Sequence, residues 1–549
     1  MPATSREGLA LDPCHREQGD AWCMVVCSGC VWAGGRAAVI AFVTKGGSVN
    51  PIMRTHAPAS RRRVLALGSA FVVLALGLAV VGQVAAPQRD RTADMAMKIT
   101  DPFTVATVGD LLVLRPASQW GDPGLQAALR IVRDADVSFG NMESSMSDMR
   151  NFDGPMRGWM GTKEVGADVK AMGFDLLNRA NNHVFDSDQQ GMFATHKLLD
   201  EAGLVHAGAG KNLQDARAAR FVETPKGRVG LVGMHTPNDR PEEAMSATER
   251  FGNTGGRPGV NPLHLRPSLV VTPQQFIALK SIRDAIYERR GEYADAVPLP
   301  PSEPGDRLEL FGTTNGGPRT VDFKKGEKAG VVSYDMNQED LRGILRSIRN
   351  GKEYSDLMIA TIHAHQNDSV LQQHGDHPPD FLIELAHKTI DNGADVFVGH
   401  GPHLLRGIEI YKGKPIFYDL GEFFCQMHWA PQDANAYRGR KLDPLTTEVT
   451  DAEIADTHGN LAVAGFPVNY ESVVAVSRLE ASRLTEVRLH PIELRYDGPL
   501  ARWGIPRTAP PEVGRRILER LQGLSKPFGT TIAIEGNIGV IKVAAGRTQ

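Results

Sequence analysis

Cysteine is scarce in this sequence: of five in 549 residues, Cys14, Cys23, Cys27 and Cys30 crowd near the start and Cys425 stands alone in the rest. One thiol cannot make an internal disulfide, so the bulk of the chain must be held by its core. The early four are spaced Cys-x8-Cys-x3-Cys-x2-Cys, which lacks the paired Cys-x2-Cys rhythm of common zinc modules. An excess of one charge is missing too. Lys and Arg total 61 against 64 Asp and Glu, a net charge of -3, which excludes a broad electrostatic surface for nucleic acid while leaving room for a local basic patch. No tandem repeat is visible.

Apolar material is plentiful. Hydrophobic residues make up 42% of the chain, enough for a large core, and one dominant domain with attachments is expected. Residues 1–59 read as an irregular extension, with Met53 as a candidate internal start. Arg61-Arg62-Arg63 then precedes an uncharged apolar run, Val64 to Ala86, that ends in the small residues Val84-Ala85-Ala86. This is export grammar. Residues 60–87 are expected to be a signal peptide, loosely of twin-arginine type, or an uncleaved anchor, since about 23 residues can span a bilayer. The basic leader disfavours the competing reading, a buried core helix. The domain would then be periplasmic or otherwise extracytoplasmic, or anchored to the cytoplasmic membrane, after a polar linker at 88–100.

Five short apolar runs each stop at polar residues. Val105–Val108 leads into Gly109-Asp110, Val137–Phe139 into Gly140-Asn141-Met142-Glu143, Asp175–Leu177 towards Asn181-Asn182-His183, Leu357–Ile362 into His363-Ala364-His365, and Asp395–Val398 into Gly399-His400-Gly401-Pro402-His403. Such runs read as buried strands, and open α/β sheets bind ligands beyond the carboxyl ends of their strands. Oxygen and imidazole groups converging from rigid elements are what a hard or borderline divalent ion needs. Isolated Asp and Asn at strand ends commonly just cap turns, and that reading of Asp110 and Asn182 yields only because the runs form an ordered set. His365 reads as a support for His363 rather than a ligand. His235, His374, His377 and His428 read as loop histidines, and Glu409 and Lys412 as hairpin residues.

Helices are predicted between the runs: after the Asp122-Pro123 cap, from Glu164 to Met172, through Met192 and Leu199 to Gly203, at Glu339–Arg349, and from Asp380 to Ile390. A strand at Gly330–Tyr334 is expected to join the same βαβ rhythm. Hairpins are predicted at Phe221–Glu223 with Arg228–Met234, at Ile408–Tyr411 with Pro415–Tyr418, and at Thr531–Val543. The main domain is placed at 101–498, with a helix and hairpin at 499–549 packing on it. From 238 to 327 the rhythm lapses, leaving one amphipathic helix after Thr272-Pro273 with Phe276, Leu279, Ile282 and Ile286 on a face. An insertion that lids the site is expected there.

Gly109-Asp110 with Arg115, Phe139-Gly140-Asn141-Met142-Glu143, Ala180-Asn181-Asn182-His183 with Asp186, His363-Ala364-His365, and the stretch from Gly399 to Gly421 resemble the CapA family of capsule or poly-γ-glutamate synthesis proteins. The likeness runs from about Thr104 to Phe424 and more loosely to Val543. It implies an α/β fold, a metallophosphoesterase-like two-sheet β-sandwich flanked by helices, with a two-metal site at the strand ends. It also implies roles. Asp110 would be the first-strand metal carboxylate, Asn141 would stand where the superfamily usually has a bridging aspartate, and Glu143, Asn182, His363, His400 and His403 would complete the metal set. His183 would stabilise the transition state or protonate a leaving group, supported by Asp186, with Arg115 steadying a phosphate or carboxylate. Leu112 replaces a histidine of the superfamily's first motif, Gln366 a glutamate, and Asp419 and Glu422 a commoner serine and asparagine. With Asn141 uncharged, metal affinity should fall.

The implied cofactor is a divalent metal, Mn, Fe or Zn, at two sites or at one with the other empty. Such ions clamp an oxyanion in phosphoester hydrolysis, and the same Lewis acid can polarise a γ-glutamyl amide. The expected function is an exported metal-dependent hydrolase or transferase acting on an anionic polymer or phosphoester beside a membrane-embedded polymer synthesis complex, with no nucleic acid. The alternative is a non-catalytic component of a cell-envelope assembly that retains the fold.

Overall fold

The apolar runs form strands, and seven of these matter for the site: β1 (Phe103–Leu112), β2 (Val137–Met142), β3 (Leu176–Asn178), β4 (Gly227–His235), β5 (Leu357–His363), β6 (Val396–His400) and β7 (Glu422–Cys425). They belong to a computed structural model that describes residues 95–543 apart from 100, 238–244, 293–304, 311–320, 370, 372–374, 431, 433, 457–465 and 497. The extension at 1–59, the export segment at 60–87, most of the linker, His374 and parts of the insertion lie outside the described residues. No described helix is long and apolar enough to cross a membrane.

In a ten-stranded sheet β1, β2 and β3 run parallel. The other edge of β1 is shared: Glu471–Glu480 pairs antiparallel with its first half, and β7 pairs parallel with its last residues. The sheet continues through Arg483–Leu494 to the hairpin Ala533–Glu535 and Ile538–Lys542, so the tail supplies strands to the sheet itself. A second, six-stranded sheet runs Ile408–Tyr411, Lys414–Phe417, β6, β5, β4, Arg220–Thr224.

Alternation along each strand assigns the faces. Val105, Phe139 and Leu176 of the first sheet share one buried cluster with Leu231, Ile359 and Val398 of the second, so the sheets pack face to face. On the outside, Ala106 and Val108 meet Leu125, Leu129 and Val169 of helices Pro123–Arg133 and Val165–Met172. Met358 and Phe397 meet Ile344 and Leu385 of helices Gln338–Glu353 and Asp380–Asp391. The result is a mixed α/β architecture of two facing sheets between helical layers.

A strict period of two would turn Asp110 to the outer face, because Phe103 and Val105 point inward. One extra residue in β1 between Thr107, which faces Phe139, and Asp110, which faces Asn141, reverses this. Asp110 thereby joins the inward set. Gly109 allows the bulge, since a Cβ there would overlap the Gly421 carbonyl oxygen, which accepts the Asp110 N–H at 3.0 Å.

The insertion contains a small sheet, ordered Arg307–Leu310, Val321–Lys325, Leu265–Val271, Val332–Met336. The strand expected to join the main βαβ run therefore pairs antiparallel with Leu265–Val271 instead. A capping box at Thr272 and Gln275 starts the helix Pro273–Glu288. Of its expected stripe, Phe276 and Leu279 meet Leu308 and Leu310, whereas Ile282 and Ile286 are exposed.

Candidate metal centre

Strand register aligns the polar ends. Asp110 is level with Asn141 on one side and Glu422 on the other, and Asn141 with Asn178. In the facing sheet His363 is level with His400 and with His235. Two ligand groups result: Asp110, His363 and His400, all buried, and Glu143, His365 and His403. In each group the ligand atoms lie within 4.8 Å of one another. Asp110 serves both. Its Oδ1 is 3.9 Å from His363 Nδ1 and 3.8 Å from His400 Nδ1, while Oδ2 is 3.6 Å from His403 Nδ1. His363 also turns two ways, with Nε2 3.7 Å from Glu143 Oε1 and 3.0 Å from His365 Nε2. Left-handed backbone at His403, φ 61°, follows Gly401 at φ 128° and is rare outside glycine.

The hydrogen bonds decide which atoms remain open. Asn178 Nδ2 and Asn181 Nδ2 donate to Asn141 Oδ1 at 2.9 and 3.2 Å, so the Asn141 amide directs Nδ2 at Asp110 Oδ1, 2.7 Å, and His363 Nδ1, 3.2 Å. Every place on that amide is used. Asn141, expected as a ligand, here donates to Asp110 and to His363. Thr361 Oγ1 donates to Val398 O at 2.8 Å and so accepts from His400 Nε2 at 2.9 Å. Neither His363 Nδ1, which accepts the Asn141 N–H, nor His400 Nδ1 thus carries a proton, and the two nitrogens face each other at 2.9 Å. Two lone pairs so placed repel unless a cation lies between them.

Buried oxygens tell the same story. Among the described residues, Asp110 Oδ2 and both oxygens of Glu143 have no hydrogen bond within ordinary distance, Asp110 Oδ2 meeting His403 Nδ1 at 3.6 Å and Glu143 Oε1 meeting His363 Nε2 at 3.7 Å, an arrangement that costs on the order of several kcal/mol for an ionised carboxylate. Burial, reinforced by Asp110, pushes Glu143 well above the usual carboxylate range. For Asp110 burial acts in the same direction, but the imidazoles of His403 and His400 prevail and hold it low. Burial and the neighbouring His365 and His400 drive His363 well down, and burial takes His400 down to about 4, so both are neutral as ligands must be. Burial opposes protonation of His403, yet Asp110 and Glu422 raise it well above the ordinary value. This donor set fits a divalent metal.

His183 follows β3. Its Nδ1 is 2.8 Å from Asp186 Oδ2, which also accepts the Trp159 N–H at 3.1 Å, and the Trp159 ring stacks on the imidazole at 4.0 Å. That partner places the Nδ1 proton and leaves Nε2 to exchange one. Asn182 Nδ2 lies 3.2 Å from His183 Nε2, and Asn182 Oδ1 is buried with no hydrogen-bond partner among the described residues. Arg115 is exposed, with its guanidinium 5.8 Å above the Trp429 ring.

Several residues here escaped sequence reasoning. His235, read as a loop histidine, is wholly buried at the end of β4, with Nδ1 3.0 Å from the His363 carbonyl oxygen. Its run, Arg228–Met234, stops at a histidine as β5 and β6 do, which was the available signal. His428 is likewise buried, against Tyr496 and Trp503. Glu422, whose Oε1 is 3.1 Å from His403 Nδ1, shows in the sequence only as a departure from the family's commoner asparagine.

The family model described as bacterial capsule synthesis protein PGA_cap matches residues 104–427. Over 472 residues the chain is 43% identical to the uncharacterized protein y4sH of Sinorhizobium fredii, covering 83% of this chain and 96% of that one. It is 24% identical over 371 residues to the capsule biosynthesis protein CapA of Bacillus anthracis, covering 65% and 69%. A probable polyglutamine synthesis accessory protein of Mycobacterium tuberculosis is 27% identical over 243 residues, 44% and 43% of the two chains.

Proposed function

The chain belongs to the bacterial capsule synthesis protein PGA_cap family, and from that premise we propose that it is a metal-dependent hydrolase or transferase acting on a phosphoester or a γ-glutamyl polymer. The observation that carries this reading is the pair of unprotonated Nδ1 atoms of His363 and His400 facing each other beside the buried Asp110 Oδ2 and Glu143 carboxylate, which have no hydrogen bond among the described residues. Divalent ions held by Asp110, His363 and His400 and by Glu143, His365 and His403 would supply Lewis acidity to a phosphoryl or amide oxygen. Asn141 orients Asp110 and His363. His183, its Nδ1–H held by Asp186, would first take up a proton at Nε2 and, so protonated, give it to a leaving group as general acid.

Two facing sheets with ligands at their strand ends support a kinship with the calcineurin-like metallophosphoesterases. The main domain expected at 101–498 takes in the tail in this reading, since Ile538–Lys542 pairs with Arg483–Leu494. We place it outside the cytoplasmic membrane, delivered by residues 64–86 as a cleaved signal or an anchor, beside a membrane-embedded polymer synthesis complex. The supporting feature is Arg61-Arg62-Arg63 ahead of that apolar run.

A second reading, a non-catalytic part of an envelope-polymer assembly, is favoured by Asn141, which brings no charge where a bridging carboxylate would serve two ions. Metal analysis of the purified protein together with a panel of phosphodiester and γ-glutamyl substrates separates the two. Bound metal with turnover abolished in His183→Ala supports the enzyme. Stoichiometric metal without turnover supports the assembly role, and failure to take up Mn²⁺, Fe²⁺ or Zn²⁺ overturns the metal centre.

A further inference from the structure

We propose that Glu422 is a metal-ligating residue of this centre, supplying from the far side of β1 the negative charge that Asn141 does not supply from β2. The inference rests on the metal-centre reading above. Parallel neighbours in register present their side chains to the same face. Asp110 is the middle of three such positions, with Asn141 level on one side and Glu422 on the other. The amide of Asn141 is consumed by four hydrogen bonds, so nothing on that side is left for a cation. On the other side a carboxylate, 5% exposed, reaches the second ligand group: Glu422 Oε1 pairs with His403 Nδ1 at 3.1 Å, and the same nitrogen lies 3.6 Å from Asp110 Oδ2.

The backbone is built to hold Glu422 there. Asp419 Oδ1 accepts the Gly421 N–H at 2.7 Å, Gly421 takes a φ of 71°, and its carbonyl accepts the Asp110 N–H at 3.0 Å. The turn thus locks the start of β7 to the residue whose two oxygens face the two ligand groups. With Glu422, three carboxylates rather than two meet the cations. Asp110, whose oxygens face both groups, would then serve both, and Glu422 would add its charge to the second beside His403.

The test is metal binding, read by elemental analysis, by competition titration with Mn²⁺ and Zn²⁺, and by the absorption of the Co²⁺-loaded protein. Glu422→Gln should bind its weaker equivalent, or its single one, roughly tenfold or more less tightly than wild type, with an altered Co²⁺ spectrum. Wild-type affinity in a folded Glu422→Gln overturns the proposal. So does lower affinity with an unchanged Co²⁺ spectrum, which would make Glu422 a support of His403. Should Glu422→Gln not fold, Glu422→Asp decides: withdrawing the carboxylate by one methylene weakens binding and changes the spectrum, and no change overturns the assignment. A wild-type protein that binds no metal defeats the metal-centre reading and this inference together, whereas metal-loaded variants indistinguishable from wild type defeat this inference alone.

Discussion

His363 Nδ1 and His400 Nδ1 face each other at 2.9 Å across adjacent parallel strands, and the groups behind them leave both nitrogens without a proton. Chelated protein therefore contains a repulsion that a cation relieves. Adding Mn²⁺ or Zn²⁺ at a hundredfold excess over Kd should stabilise the fold by about 2.7 kcal/mol. In His363→Ala that gain should shrink towards zero. Urea unfolding with and without metal measures both, and an undiminished gain in the variant would remove His363 from the ligands.

His400 gives the metal-free protein a weakness towards acid. Burial brings its pKa down to about 4 from 6.5. Between those values the unfolded chain binds a proton that the folded chain refuses, so stability rises with pH through the window and is lost as pH falls from 6.5 to 4. The loss should be about 3 kcal/mol. His400→Asn should flatten the curve by that order, read as the wild-type minus variant unfolding free energy of chelated protein at pH 4 and pH 7. Parallel curves would mean that His400 titrates normally.

Lys352 and Asp395 pair at 2.7 Å with both side chains wholly buried. Lys352 Nζ also donates to Asp356 O at 2.9 Å, and Asp395 accepts the Met358 N–H at 2.9 Å, so the pair ties helix Gln338–Glu353 to the starts of β5 and β6. Lys352→Met leaves Asp395 buried with Lys414 as its remaining cation, at 3.0 Å. A loss of about 3–5 kcal/mol is expected in denaturant unfolding. Metal stoichiometry should be untouched, since the pair lies at the opposite end of β5 from His363.

Much of the centre was legible because an apolar run that stops at Asp, Asn or His marks a strand end in one dimension. Asp110, Glu143, His363, His400 and His403 carried that mark. His235 carries it too, but as the residue after a predicted hairpin it reads as a loop histidine. Relations between strands left no such trace. Nothing in the sequence pairs β7 with β1, so Glu422 stayed a mere substitution. The saturation of Asn141 depends on Asn178 and Asn181 reaching it from β3 and beyond. The bulge at Gly109 is equally silent, although without it the period of two would face Asp110 outward. In the insertion, Pro267 and exposed positions break the alternation of Leu265–Val271, hiding the small sheet.

Gly158 controls His183 without touching it. Its φ of 57° favours glycine, and a Cβ there would overlap the Asp186 carboxylate. That carboxylate is what His183 Nδ1 and the Trp159 N–H share. Gly158→Ala should therefore displace Asp186, release the imidazole from its fixed tautomer, and mimic Asp186→Asn. On whichever substrate the panel identifies, both should lower kcat by about 10–100-fold, against a loss of about 10²–10⁴ for His183→Ala. Metal content should match wild type in all three. ¹⁵N NMR of His183 supplies an independent readout: the wild-type ring should be protonated at Nδ1, and both indirect variants should show a mixture. A Gly158→Ala protein with a wild-type tautomer and wild-type kcat would show that Asp186 does not orient His183.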